Sequence, residues 1–165
     1  MSGEKRDLVV TRVVGAKVKE AWAAWTEAEK VREWWGPDGF TSPVAKMDVR
    51  EGGTSLVCMR APREMGGRDM YNVWAYTKIV PMHELEFVTN LADETGRVLD
   101  PAMLGLPADF PRDLRMRVTF KAMGCDETEM TVTQFGWTAG QMMGFAEMGL
   151  RQSVEKMAKA VGNRR

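Results

Sequence analysis

Few side chains in this sequence are of a type that does chemistry unaided. His83 is the one histidine. It follows Pro81-Met82 in a predicted turn, so an exposed surface position is its expected state. Zinc sites draw on several histidines or closely spaced cysteine pairs, whereas Cys58 and Cys125 stand far apart. Neither a glycine-rich phosphate loop with its lysine nor a nucleophile elbow is present. No metal, cofactor or catalytic residue is therefore assigned. The two cysteines read as buried or strand-end thiols rather than a disulfide.

The polar side chains on predicted strands sort by alternation. Arg115 and Arg117 share a face with Thr119 and Lys121, which reads as solvent. Asp48 shares a face with Lys46 and Arg50. Asn72 and Tyr76 share theirs with Met70 and Trp74, a face suited to lining a cavity. Tyr76 is thus the first polar handle to test. Its alternative is a ring packed on the sheet with its hydroxyl at the rim.

These residues need elements to hold them. Thr138 to Val161 reads as one long helix, with Thr138 and Gln141 as a capping box. Met142, Phe145, Ala146, Gly149, Leu150, Val154, Met157 and Val161 recur at helical spacing on one side. Glu147, Arg151, Gln152, Glu155, Lys156 and Lys159 fall on the other, and Lys156, Lys159, Arg164 and Arg165 suit the negative end of the helix dipole. At 1.5 Å per residue the helix is roughly 35 Å long, enough to cross a sheet. Gly140, Gly144 and Gly149 thin its surface, which favours a pocket beneath it.

Ahead of the helix, Leu8 to Val14 reads as a strand. Two short helices follow, the second capped by Thr26 and Glu29 and stopped by Gly36-Pro37. From there the period becomes two. Strands are predicted at 44–50, 54–61, 70–80, 85–89, 114–122 and 127–135, joined by short turns into an antiparallel meander. Residues 90–111 interrupt it. At about twenty residues this segment is long for a hairpin, yet it carries Leu99, Met103, Leu104, Leu106 and Phe110, too apolar for disorder. A lid over an opening, or a segment packed on the sheet edge, satisfies both facts. Strands segregated from helices make an α+β fold.

At 165 residues the chain reads as a single domain spanning 1–165, with its core at about 8–161. Lysine plus arginine balance aspartate plus glutamate at 23 each, which argues against nucleic acid or an anionic membrane as partner. No apolar run of transmembrane length and no signal-peptide core is present, which predicts a cytoplasmic protein. The 14 methionines and 6 tryptophans suit either an adaptable apolar cavity or an ordinary core.

Several runs carry a resemblance. They are Ala21-Trp22-Ala23-Ala24-Trp25-Thr26 leading to Trp34-Trp35-Gly36-Pro37, then Asp48-Val49-Arg50-Glu51-Gly52-Gly53. Ile79-Val80-Pro81 with Glu84-Leu85-Glu86-Phe87 follows, and Met148-Gly149-Leu150 closes the set. On these the chain resembles the START-like (SRPBCC) superfamily, and within it the bacterial branch named after the heat-shock-protein ATPase activator (AHSA-type). Leu150 stands where members often carry tryptophan, and the 90–111 segment is longer and more apolar than is usual for the branch. The resemblance implies a helix-grip fold, with a curved antiparallel sheet of about six to seven strands around the long helix. It also implies a deep apolar pocket between the two for a lipid-like or polycyclic ligand.

The expected function is binding of a small hydrophobic ligand by Trp34, Trp35, Trp74, Tyr76, Met116, Phe120, Phe145 and Gly149. One alternative is a cyclase, dehydratase or hydrolase in the same pocket, as in some relatives, with Asp48, Asn72, Tyr76, Glu86, Arg115 and Arg117 as its candidate polar groups. That reading requires a buried polar pair near Tyr76 and groups whose pKa burial has shifted. The other is a co-chaperone, which requires a large exposed apolar patch. Edge strands leave a homodimer open.

Overall fold

A computed structural model describes residues 4–162. Strand β1 (Lys5–Val14) is followed by helices α1 (Val18–Thr26) and α2 (Ala28–Trp34). Six strands come next: β2 (Ala45–Lys46), β3 (Thr54–Arg60), β4 (Asp69–Val80), β5 (Glu84–Ala92), β6 (Leu114–Met123) and β7 (Glu127–Thr138). Helix α3 (Gln141–Gly162) follows them. The strands form one antiparallel sheet in the order β1-β7-β6-β5-β4-β3-β2. Consecutive strands pair through the meander, and β1 lies beside β7. The fold is the α+β helix grip, a curved sheet against a long helix.

Alternation sets the sheet's two faces. On β6, Leu114, Met116, Val118 and Phe120 are buried on the helix side. Arg115 and Arg117 lie on the outer side, with their guanidinium carbons 4.0 and 5.1 Å from the centre of the Phe135 ring. Arg117 also pairs there with Glu86 at 3.2 Å and Glu84 at 3.5 Å. Helix α3 buries Leu150, Val154, Met157, Ala158 and Val161 against the inner face. Helices α1 and α2 contribute Trp25 and Trp34, whose rings meet edge to face at 4.7 Å. Each finds an acceptor for its indole N–H, in Met130 Sδ at 3.1 Å and the Ala24 carbonyl at 2.8 Å. Both rings are almost fully buried in the apolar core on this side of the sheet.

Four local expectations are corrected. The alternation at 44–50 gives a strand of only two residues, because the chain turns after it. Arg50 N–H donates to the Asp48 carbonyl, Gly53 N–H to the Arg50 carbonyl, and Asp48 N–H to Ser55 Oγ. Those groups are then no longer free for a ladder. Thr138 does not cap α3; it ends β7, and its Oγ1 accepts from Lys5 Nζ at 2.9 Å. Thr26 does not cap α2; its hydroxyl donates back to the Trp22 carbonyl at 2.9 Å, and extended Glu27 separates the two helices. Lys156 and Gln152 do not face open solvent but dock on the 36–40 loop: Gln152 Oε1 accepts from Asp38 N–H at 3.1 Å, and Lys156 donates to the loop's carbonyls.

Arg164 and Arg165, expected at the helix terminus, lie outside the described residues. Cys58 is a buried free thiol and Cys125 an exposed one. Among the described residues, no helix is long and apolar enough to cross a membrane.

Candidate ligand cavity

Between the inner face of the sheet and the first half of α3 lies a cavity of about 290 Å³. Met70 and Asn72 of β4, Thr89 and Leu91 of β5, and Leu114 and Met116 of β6 form its floor. Each pair is spaced by two, so both members point to the same face. Helix α3 roofs the cavity with Met142, Phe145, Ala146, Gly149, Leu150 and Ser153. Trp35 and Pro37 close one side, Gln134 and Trp137 of β7 another, and Phe110 reaches in from the segment after β5. The 90–111 segment thus supplies part of the wall: Phe110 meets Trp137 edge to face at 6.1 Å.

The eight residues expected at the site divide. Trp35, Met116, Phe145 and Gly149 stand in the wall. Trp34, Trp74, Tyr76 and Phe120 do not; they lie on the same side of the sheet but are packed into the core. Trp34 is wedged between Trp25 and Trp35. Trp74 stacks on Phe87 at 4.9 Å. Phe120 meets Trp22 at 5.3 Å. Tyr76 is almost fully buried, and its hydroxyl shares a hydrogen bond with Ser55 Oγ at 2.8 Å. Burial pushes the Tyr76 phenol up to about 12, only partly opposed by that bond.

Sequence reasoning missed several wall residues. Leu91, Leu114 and Gln134 follow from alternation once the cavity's level along the strands is known. Trp137 breaks the alternation. The pairing of β1 with β7 slips between Arg6↔Trp137 and Leu8↔Gln134, and Gly136 takes a φ of 80° there. This bulge shifts the parity of Trp137, so that it faces inward along with Gln134. The glycine ahead of a strand's last aromatic was the available signal.

The wall is chemically simple. Among the described residues it contains no carboxylate, amine, guanidinium, imidazole, thiol or phenol, so none of those wall side chains titrates near neutral pH. Its polar groups are largely engaged: Trp137 N–H donates to Gln134 Oε1 at 2.8 Å, and Ser153 Oγ to the Gly149 carbonyl at 2.9 Å. Asn72 Nδ2 makes only a long contact of 3.5 Å with the Asn90 carbonyl. The buried indole N–H of Trp35 has no acceptor. A buried donor without a partner is costly. Among the described residues, no cluster of three or more His, Cys, Asp or Glu side chains could hold a metal ion. His83 lies in the exposed β4–β5 turn, where its backbone N–H donates to the Val80 carbonyl.

The cavity's rim is pinned. Lys156 Nζ, half-buried, donates to the carbonyls of Gly36, Pro37 and Phe40 at 3.0, 3.2 and 3.0 Å. Burial lowers its pKa, against the opposing pull of Asp38.

Solved structures of similar shape cover nearly the whole chain. One from Arthrobacter aurescens is 23% identical with a TM-score of 0.76, over 99% of this chain and 92% of that one. One from Chromobacterium violaceum is 20% identical with a TM-score of 0.75, over 94% and 96%. An AHSA1 protein from Silicibacter pomeroyi is 18% identical with a TM-score of 0.71, over 97% and 100%. At such identities the likeness is one of fold. No curated protein matches the chain. The model of the family described as activator of Hsp90 ATPase homolog 1-like protein matches residues 15–162, and the chain belongs to that family.

Proposed function

We propose that this protein binds a small, mostly apolar, uncharged molecule in the cavity between the sheet and α3, with residues 1–165 acting as one domain. The observation that carries this reading is the cavity itself. Its volume of about 290 Å³ is close to the lower range of small-molecule sites, and its wall is apolar apart from a few amide, hydroxyl and indole groups.

The enzyme reading draws less support. A buried polar pair near Tyr76 does exist, in Ser55 and Tyr76, but neither residue belongs to the cavity wall. Acid–base work needs a titrating group within reach of the substrate. The co-chaperone reading rests on the wording of the family description alone.

The test is a titration with Nile red, an uncharged polycyclic dye that brightens in apolar surroundings. Saturable one-to-one binding, competed by other uncharged apolar molecules, is the expected result. Absence of saturable binding sinks the proposal.

A further inference from the structure

Two polar side chains interrupt the apolar floor of the cavity. Along the inner face of β5 the side chains are Leu85, Phe87, Thr89 and Leu91, and along that of β4 they include Met70, Asn72 and Trp74. Thr89 and Asn72 both belong to the cavity wall. Thr89 pairs directly with Trp74, and Asn72 with Leu91, so Thr89 and Asn72 are diagonal neighbours on one face of the sheet. Residues in that relation lie about 7–8 Å apart, close enough for one small group to touch both side chains.

Thr89 is only 8% exposed, and its hydroxyl has no hydrogen-bond partner among the described residues. The described side-chain atoms that are both sealed and unpartnered are Trp35 Nε1, Trp74 Nε1 and Arg117 Nε. Thr89 Oγ1 is unpartnered without being sealed, and the space it opens on is the cavity it lines. Asn72 turns Nδ2 to the Asn90 carbonyl at 3.5 Å, so Oδ1 is the atom left over, with no donor from the described residues. The other polar wall groups are taken: Gln134 Oε1 by Trp137, and Ser153 Oγ by the Gly149 carbonyl. The Trp35 N–H is sealed and out of a ligand's reach. Valine has the shape of threonine and would complete the apolar row, so a buried hydroxyl that bonds to nothing calls for a reason. Together Thr89 and Asn72 offer one hydroxyl, which donates or accepts, and one carbonyl acceptor.

We infer that Thr89 and Asn72 are the specificity-determining pair of the cavity, and that its ligand is an uncharged apolar molecule carrying a hydroxyl group, which accepts from Thr89 Oγ1 and donates to Asn72 Oδ1. This rests on the proposed ligand cavity and names the class of ligand. An ether or a ketone can only accept, and a hydrocarbon can do neither, so each leaves one or both of the protein's groups unpaired.

The experiment is displacement of Nile red from the full chain by 2-naphthylmethanol and by 2-ethylnaphthalene, which share one shape and differ in the hydroxyl. The readout is the ratio of the two affinities in wild type, Thr89→Val, Thr89→Ser and Asn72→Leu, with thermal melting of each protein free of ligand. A change in packing alone moves both probes together and leaves the ratio still. The ratio should shift against the alcohol by about two- to tenfold in Thr89→Val and likewise in Asn72→Leu, the worth of one hydrogen bond. Thr89→Ser keeps the hydroxyl and should hold the wild-type ratio. Thr89→Val should melt no lower than wild type, since its hydroxyl has no partner to lose. A ratio that stays at the wild-type value in Thr89→Val or in Asn72→Leu overturns the pair, as does a Thr89→Ser ratio that matches Thr89→Val. A clearly lower melting temperature in Thr89→Val overturns the free hydroxyl on which the pair rests. Nile red that binds but is displaced by neither naphthalene overturns this inference and leaves the cavity's role intact. No saturable Nile red binding at all ends the proposed function and this inference with it.

Discussion

Lys156 of α3 donates from Nζ to the backbone carbonyl of Gly36 at 3.0 Å, and the same ammonium also reaches the carbonyls of Pro37 and Phe40. The tryptophan-bearing loop and the roof helix are thereby joined at the cavity's rim, through a side chain whose helical position reads as solvent-facing. A compact ammonium can serve three converging carbonyls, whereas a planar guanidinium directs its donors into one fixed fork. Lys156→Met keeps the apolar stem and leaves the carbonyls short of a donor. It should lower stability in urea denaturation by about 1–3 kcal/mol. Lys156→Arg should recover little of that loss. Full stability in Lys156→Met would show that the three contacts contribute nothing.

Gly149 is where the roof is thinnest. A Cβ placed there meets only Pro37 Cγ, at 3.4 Å, an ordinary contact. Gly149→Ala should therefore leave binding nearly unchanged while gaining up to about 1 kcal/mol of helix stability, whereas the larger side chain of Gly149→Leu takes up cavity space. Nile red affinity should fall about tenfold or more in Gly149→Leu, equivalent to at least about 1.4 kcal/mol, with the melting temperature little altered. Unchanged affinity would remove Gly149 from the working wall.

The fold was legible because its signals are local. Period two on β6 and spacings of three and four on α3 each show in a dozen residues, whereas the pairing of β1 with β7 joins the first and last strands and has no local signal. The site was legible only by face. Asn72 and Tyr76 share a face of β4 but sit four residues apart, roughly 13 Å along the strand. One lines the cavity and the other is sealed against Phe87 and Ser55. Alternation says which way a side chain points and not where along the strand the helices stop covering it. Trp137 was hidden differently, by the bulge at Gly136 that shifts its parity. The caps failed because Thr138 and Thr26 each found another partner nearby, Lys5 in one case and the Trp22 carbonyl in the other.

Gly144 offers a test of the helix alone. It is the fourth residue of α3, exposed, and a Cβ there meets nothing within 4 Å. Glycine inside a helix is less favourable than alanine by about 0.8–1 kcal/mol. Gly144→Ala should raise stability by about that amount and shift the thermal midpoint upward. A lower midpoint would mean that the first turns of α3 depend on glycine's freedom.

Tyr76 fixes the protein's response to alkali. Its phenol, raised by burial to about 12 against an ordinary value of 10.0, stays neutral in the folded chain over a range where the unfolded chain ionises it. The unfolded state then holds fewer protons, so stability falls as pH rises between those two values. The contribution is fully present below pH 10 and is lost on the way to about 12, amounting to about 2–3 kcal/mol at 1.36 kcal/mol per unit. Tyr76→Phe removes the titration along with one hydrogen bond to Ser55. The variant should be less stable than wild type near neutral pH by about 1 kcal/mol, and its stability should fall less steeply through the alkaline window. Tyr71, whose pKa burial also raises, is present in both proteins, so its contribution cancels in the comparison. Urea unfolding of the two proteins across that window decides the matter: parallel curves would mean that Tyr76 ionises as readily folded as unfolded, and that its ring is not sealed in the core.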